Sequence, residues 1–134
     1  MLNEMKFRFS ERKYFVLLFV LFLSLNVLGQ NKDIKPKVTF VELGSVNCIP
    51  CKPMQPIMKA VEEKYGEQIK VIFYDVWKSD QKKYAQQYEI KLIPTQVFLD
   101  ENGKEFFRHE GFYPESEIDK LLKDKGLKPK DTKN

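Results

Sequence analysis

Cysteine and histidine are almost missing from this sequence: its 134 residues hold two cysteines, Cys48 and Cys51, and one histidine, His109. A structural zinc site usually draws four ligands from such side chains. Three, with His109 far off in the sequence, fall short. Covalent haem attachment needs His directly after the second cysteine, and Lys52 stands there instead. No apolar run reaches the roughly 18 residues of a full membrane span. The longest, over residues 14–25, is short and contains Ser24. Blocks of like charge are missing as well. Lysines and arginines are interleaved with acids, which reads as a solvated surface and not as a nucleic-acid footprint. No internal repeat is present.

What is there begins with an export pattern. Residues 1–13 carry Lys6, Arg8, Arg12 and Lys13 against Glu4 and Glu11, so they supply +2 of the formal charge of +4. The apolar run follows, and then Val27 and Gly29 precede the polar run Gln30-Asn31-Lys32-Asp33. A basic start, a short apolar core and a small-residue exit make a secretory signal. Residues 1–30 are therefore expected to be a signal peptide cut near Gly29-Gln30, or else an N-terminal membrane anchor through residues 14–28. No cysteine lies near the exit, so lipid modification is not expected. The expected location is exported: periplasmic or otherwise extracytoplasmic. Residues 31–37 read as a linker, 38–127 as one domain and 128–134 as a flexible tail. About 100 residues suffice for one modest core.

Within the domain, residues 38–43 alternate little and are rich in β-branched and aromatic side chains, which predicts a buried strand. A helix is expected from Cys48, with Ile57, Met58, Val61 and Tyr65 on one face. Pro50 suits its first turn, Pro56 should kink it and Gly66 should end it. A second strand is expected over 69–76. Ser79-Asp80 should cap a helix running to about Tyr88. Residues 95–99 and 104–110 read as strands joined by the turn Asp100-Glu101-Asn102-Gly103. Ile118, Leu121 and Leu122 mark a last helix starting near Pro114-Glu115, and the chain from Lys123 is expected to fray. The fold class is α/β: a four-stranded mixed sheet in the order 2-1-3-4, the last strand antiparallel, with helices on both faces.

Export places the cysteines where disulfides persist. As a structural staple, Cys48–Cys51 closes too small a loop to restrain much of the unfolded chain. Close spacing suits reversible dithiol chemistry. Cys48, at a helix N-terminus, would have a lowered pKa and attack. Cys51, one turn further in, would resolve the mixed disulfide.

Strand 38–43, Cys48-Ile49-Pro50-Cys51, Pro56, Ile93-Pro94-Thr95, Asn102-Gly103 and Gly111 together resemble the thioredoxin family in their order. The resemblance implies that Pro94 is cis beside the dithiol. It also implies that the Ile93-Pro94-Thr95 segment receives an extended substrate through backbone hydrogen bonds. Glu42 matches the family's buried acid, usually Asp, six residues before the first cysteine. The resemblance makes it a proton relay for Cys51; the other reading is a glutamate reaching solvent. Three positions depart from the family pattern. Asn47 replaces the usual Trp, Ile49 the usual Gly, and Phe73 a lysine on the next strand. Trp77, Phe106, Phe107 and Tyr113 read as core or scattered surface, and His109 as a surface residue on an edge strand.

The leading expectation is a thiol-disulfide oxidoreductase that reduces disulfides of exported proteins. The alternatives are a dithiol oxidant or isomerase, a non-catalytic thioredoxin-fold binding module, and a metallochaperone. No cofactor is expected. Expected partners are protein disulfides and an upstream thiol reductant, membrane-bound, with the chain itself a monomer.

Overall fold

The sheet is built around one strand. β1 (Val38–Gly44) is buried along nearly its whole length because it lies between two neighbours. β2 (Ile69–Asp75) runs parallel to it, pairing Val38 with Ile69 through Gly44 with Asp75. β3 (Thr95–Asp100) runs antiparallel on its other side, pairing Val38 with Asp100 through Leu43 with Thr95. β4 (Glu105–Glu110) forms a hairpin with β3, with a bulge at Phe98/Leu99. The strand order is β2-β1-β3-β4. These features come from a computed structural model that describes residues 35–130. The expected signal or anchor over 1–30 lies outside the described residues. Among the described residues no helix is long and apolar enough to cross a membrane.

Successive strand residues point to opposite faces, and β1 divides the core accordingly. Val38 and Phe40 join Met54, Met58, Val61 and Tyr65 of α1 (Met54–Tyr65) and Ile118 and Leu122 of α3 (Glu115–Asp124). Phe40 stacks on Phe98 at 4.7 Å between ring centroids. Val41 and Leu43 face the other way, towards Tyr84 and Ala85 of α2 (Lys83–Gln87) and Tyr88 just beyond it. Helices thus cover both faces of a four-stranded mixed sheet, as the sequence predicts.

Four local expectations are corrected. The helix does not start at Cys48. A 3-10 turn, Ile49–Cys51, comes first, and α1 begins only at Met54. The cause is proline: Pro50, Pro53 and Pro56 remove three backbone donors in seven residues, so continuous i→i−4 bonding is blocked until Met54. Pro56 consequently falls in the first turn of α1 rather than deep inside a helix, where its missing N–H needs no partner. Ser79 and Asp80 do not cap α2, which begins at Lys83. The Lys78 carbonyl accepts from Gln81 N at 3.1 Å and Lys82 N at 2.8 Å, which makes a turn of that stretch. Finally, the chain beyond Lys123 does not fray through residue 130. Leu127 is buried, Gln68 and Lys128 exchange hydrogen bonds of 2.7 and 3.1 Å, and Lys130 N donates to Lys64 O at 2.8 Å. Residues 131–134 lie outside the described residues.

Candidate active site

The strand ends bring the chemistry-bearing residues to one end of the sheet. β1 and β2 finish there, β3 begins there after Pro94, and β4 finishes there before Gly111. The loop leaving β1 is tied to itself and to the loop leaving β2. Asn47 N donates to Ser45 Oγ at 3.3 Å and Cys48 N to Ser45 O at 3.2 Å. The Asp75 carboxylate accepts from Val46 N at 3.4 Å and Trp77 N at 3.2 Å. Burial works to raise the Asp75 pKa, but bonds from Ser45, Val46 and Trp77 outweigh it and hold the carboxyl below its usual value.

Cys48 has an extended backbone, φ −82° and ψ 121°, and leads into the 3-10 turn, where Cys51 N donates to Cys48 O at 3.2 Å. The two are joined as a disulfide with Cα atoms 5.2 Å apart. Cys48 keeps 4% of its surface exposed and Cys51 none. The α-helix N-terminus lies six residues beyond Cys48, not at it. A helix dipole acts mainly within its first turn, so the expected placing of Cys48 at an α-helix N-terminus is not met. The Cys51 sulfur packs on the end of β1. A Cβ built on Gly44 would lie 3.4 Å from Cys51 Sγ and 3.4 Å from the Phe73 ring. A side chain at position 44 would thus come into van der Waals contact with Cys51 and Phe73.

Glu42 lies two residues before Gly44 on the same strand face, with Phe73 of β2 and Gln96 of β3 as its register partners. It is completely buried and does not reach solvent. Burial pushes its carboxyl from 4.5 up to about 8, and a hydrogen bond from Gln96 Nε2 to Glu42 Oε1, at 3.4 Å, pulls it partly back. Phe73, where the family has lysine, adds apolar surroundings instead of a cation.

The Ile93–Pro94 peptide is cis. Pro94 immediately precedes Thr95, which pairs with Leu43, the neighbour of Gly44 where Cys51 is seated. Pro94 O accepts from Gly111 N at 2.7 Å, and Thr95, buried, donates from its hydroxyl to Leu92 O at 2.7 Å. Among the described residues, no backbone hydrogen bond uses the Ile93 N–H or C=O.

Two features escaped the sequence. Gln96 reads there as an ordinary polar strand residue, and only the register reveals its pairing with Glu42. The second is a rim of exposed apolar side chains. Val46, Ile49, Trp77, Leu92 and Phe112 are the large exposed apolar residues among those described, and all lie on the connections at the dithiol end, Ile49 within the 3-10 turn. Ile49 is 79% exposed and Trp77 60%. Trp77 is therefore exposed and not part of the core. His109, on β4 opposite Gln96, is half-buried and stacks on Tyr113 at 4.4 Å between centroids.

A thioredoxin-like domain family model matches residues 26–126, which covers the whole of this arrangement. The chain belongs to the thioredoxin family. It is 35% identical over 85 residues to the chloroplastic thioredoxin Y of rice, covering 61% of this chain and 47% of that protein. The chain thus spans about half the length of that relative. It is 30% identical over 84 residues to a prophage-derived thioredoxin-like protein of Bacillus subtilis, covering 63% of this chain and 94% of that one. Among solved structures it resembles Fasciola hepatica thioredoxin, with a TM-score of 0.57 and 26% identity over 69% of this chain and 84% of that one. A Nicotiana alata thioredoxin gives a TM-score of 0.56 and 30% identity over 66% of this chain and 72% of that one. The Cys48–Cys51 pair stands in the Cys-x-x-Cys position of this thioredoxin family, which supports thiol-disulfide exchange.

Proposed function

We propose that this chain is a thiol-disulfide oxidoreductase that reduces disulfides of exported proteins. In the cycle, the Cys48 thiolate attacks one sulfur of a client disulfide. A Cys48–client bond forms, the client S–S bond breaks, and one client thiolate leaves. Cys51 then passes its thiol proton to Glu42 in its ionised form, and its thiolate attacks Cys48 Sγ. The Cys48–Cys51 bond forms, the mixed disulfide breaks, and the second client thiolate leaves. The two client thiolates take protons from water. Two electrons have moved from the pair to the client. A thiol reductant upstream, membrane-bound in an exported setting, returns them. A monomer is sufficient for every step.

One observation carries this reading: the disulfide's inner sulfur rests on Gly44, two residues from a buried carboxyl able to take its proton. The exposed rim supports a macromolecular client, since five apolar side chains held in water at one end of the sheet gain by covering. The free Ile93 backbone groups, next to Pro94 and Thr95, support an extended client segment added alongside. The N-terminal pattern supports export to a periplasmic or other extracytoplasmic compartment.

The test is insulin reduction by the full chain with dithiothreitol as electron source. The wild type should accelerate precipitation of the insulin chains, and Cys48→Ser should return the rate to that of dithiothreitol alone. No acceleration by the wild type, or full acceleration by Cys48→Ser, contradicts the proposal.

A further inference from the structure

We infer that Gln96 is a positioning residue, whose carboxamide orients the protonated Glu42 through two reciprocal hydrogen bonds when Cys48 and Cys51 are joined. The inference rests on the proposed exchange reaction only for its role in catalysis, since the pairing itself is a property of the folded chain.

The argument is a count of donors. Gln96 and Glu42 are both completely buried and face each other across β1 and β3. Gln96 Nε2 donates to Glu42 Oε1. Two buried atoms of the same pair, Glu42 Oε2 and Gln96 Oε1, have no hydrogen-bond partner among the described residues. An ionised carboxylate only accepts, and so does a carboxamide oxygen. With Glu42 charged, two acceptors stay buried without a donor, each costing the desolvation of a polar group. One proton on Oε2 removes both deficits, because the new O–H donates to Gln96 Oε1 while Nε2–H still donates to Oε1 of the acid. Turning the carboxamide over exchanges the atoms but not the count.

The surroundings supply no competing charge. β2 offers Phe73 opposite Glu42. α1 buries Met54, Met58, Val61 and Tyr65 on this side, and the Tyr65 hydroxyl is engaged with Asp119 Oδ1 at 3.1 Å. The titratable neighbour left in the disulfide form is His109, beyond Gln96 on β4; Cys51, seated over Gly44, titrates only once the disulfide is reduced. The disulfide form is the state reached after Cys51 has given up its proton. A carboxyl kept neutral by burial and oriented by Gln96 is the matching acceptor in its loaded state.

The pair is tested by infrared difference spectroscopy of the full chain between its disulfide and dithiol forms. The disulfide form should show the C=O stretch of a protonated carboxyl, absent in Glu42→Gln. In Gln96→Leu that band should move to higher wavenumber, as expected for an acid with its hydrogen bonds removed. Resolution of a preformed mixed disulfide should slow by about fivefold, the worth of one hydrogen bond of about 1 kcal/mol. A side-chain amide titration of Gln96 by NMR in the wild type needs no substitution. Its signals should follow the same midpoint as the Glu42 carboxyl. No protonated-carboxyl band in the wild type, an unmoved band in Gln96→Leu, or Gln96 signals blind to Glu42 would overturn the inference, whatever the insulin assay shows. An inactive protein with the paired band intact would instead sink the oxidoreductase reading alone.

Discussion

Cys51→Ser should arrest the protein as a mixed disulfide through Cys48. Cys48 still attacks, but the serine hydroxyl is far too weakly acidic to become the nucleophile that releases the client. Turnover on insulin should fall to the background set by dithiothreitol. Clients should remain attached to the chain, separable on a non-reducing gel and released by reductant. The pair is asymmetric, with Cys48 keeping a small exposed edge and Cys51 fully covered. The serine variant at Cys48 should therefore capture nothing. Equal trapping by both variants would mean that the roles of the two sulfurs are not as assigned. Mass spectrometry of clients captured in the native compartment would give the substrates directly.

The second large effect concerns Glu42 and pH. Its carboxyl is raised from 4.5 to about 8 in the folded chain, chiefly by burial. Below pH 4.5 both folded and unfolded chains carry the proton and the contribution to stability is complete. Between pH 4.5 and 8 the unfolded chain releases its proton while the folded chain keeps it, so stability falls as pH rises. Above pH 8 both are ionised and the loss is finished. At about 1.4 kcal/mol per pH unit, the full loss is on the order of 5 kcal/mol. Glu42→Gln cannot titrate, and its carboxamide can pair with that of Gln96. Urea denaturation should show it at least as stable as the wild type at pH 9, with a flatter stability profile from pH 5 to 8. The same substitution should slow resolution of the mixed disulfide by roughly 10²-fold or more, the usual worth of a positioned proton acceptor. Parallel stability profiles for the two proteins would show that Glu42 is not a buried, titrating acid.

The sheet was legible because several local signals agreed. The β-branched run of β1, the turn chemistry of Asp100 to Gly103 and the periodicity around Ile118 and Leu122 each name one element, and together they allow one topology. Asp100 Oδ1 accepts from Asn102 N at 2.8 Å and Lys104 N at 3.0 Å, so the hairpin signal has a mechanism in the fold. The dithiol was legible as well, since its residues are adjacent in sequence. Three prolines set the true start of α1. Their joint effect was hidden because each one, taken singly, has an acceptable helical position. The docked C-terminal segment was hidden because Gln68 and Lys128 pair across sixty residues. Gln96 was hidden for a related reason: a polar residue in a strand looks solvent-facing until the register puts it opposite a buried acid. The apolar rim draws on four loops, and no one of them signals it.

A redox titration of the full chain against glutathione, with circular dichroism recorded in each state, tests the dithiol most directly. The pair is predicted to interconvert reversibly in one two-electron step, about 30 mV per tenfold change, with the fold kept on both sides. The midpoint should lie nearer to about −270 mV, typical of a reducing dithiol, than to about −120 mV, typical of a strong oxidant. A bond that opens only when the protein unfolds would make Cys48–Cys51 a structural staple and contradict the account.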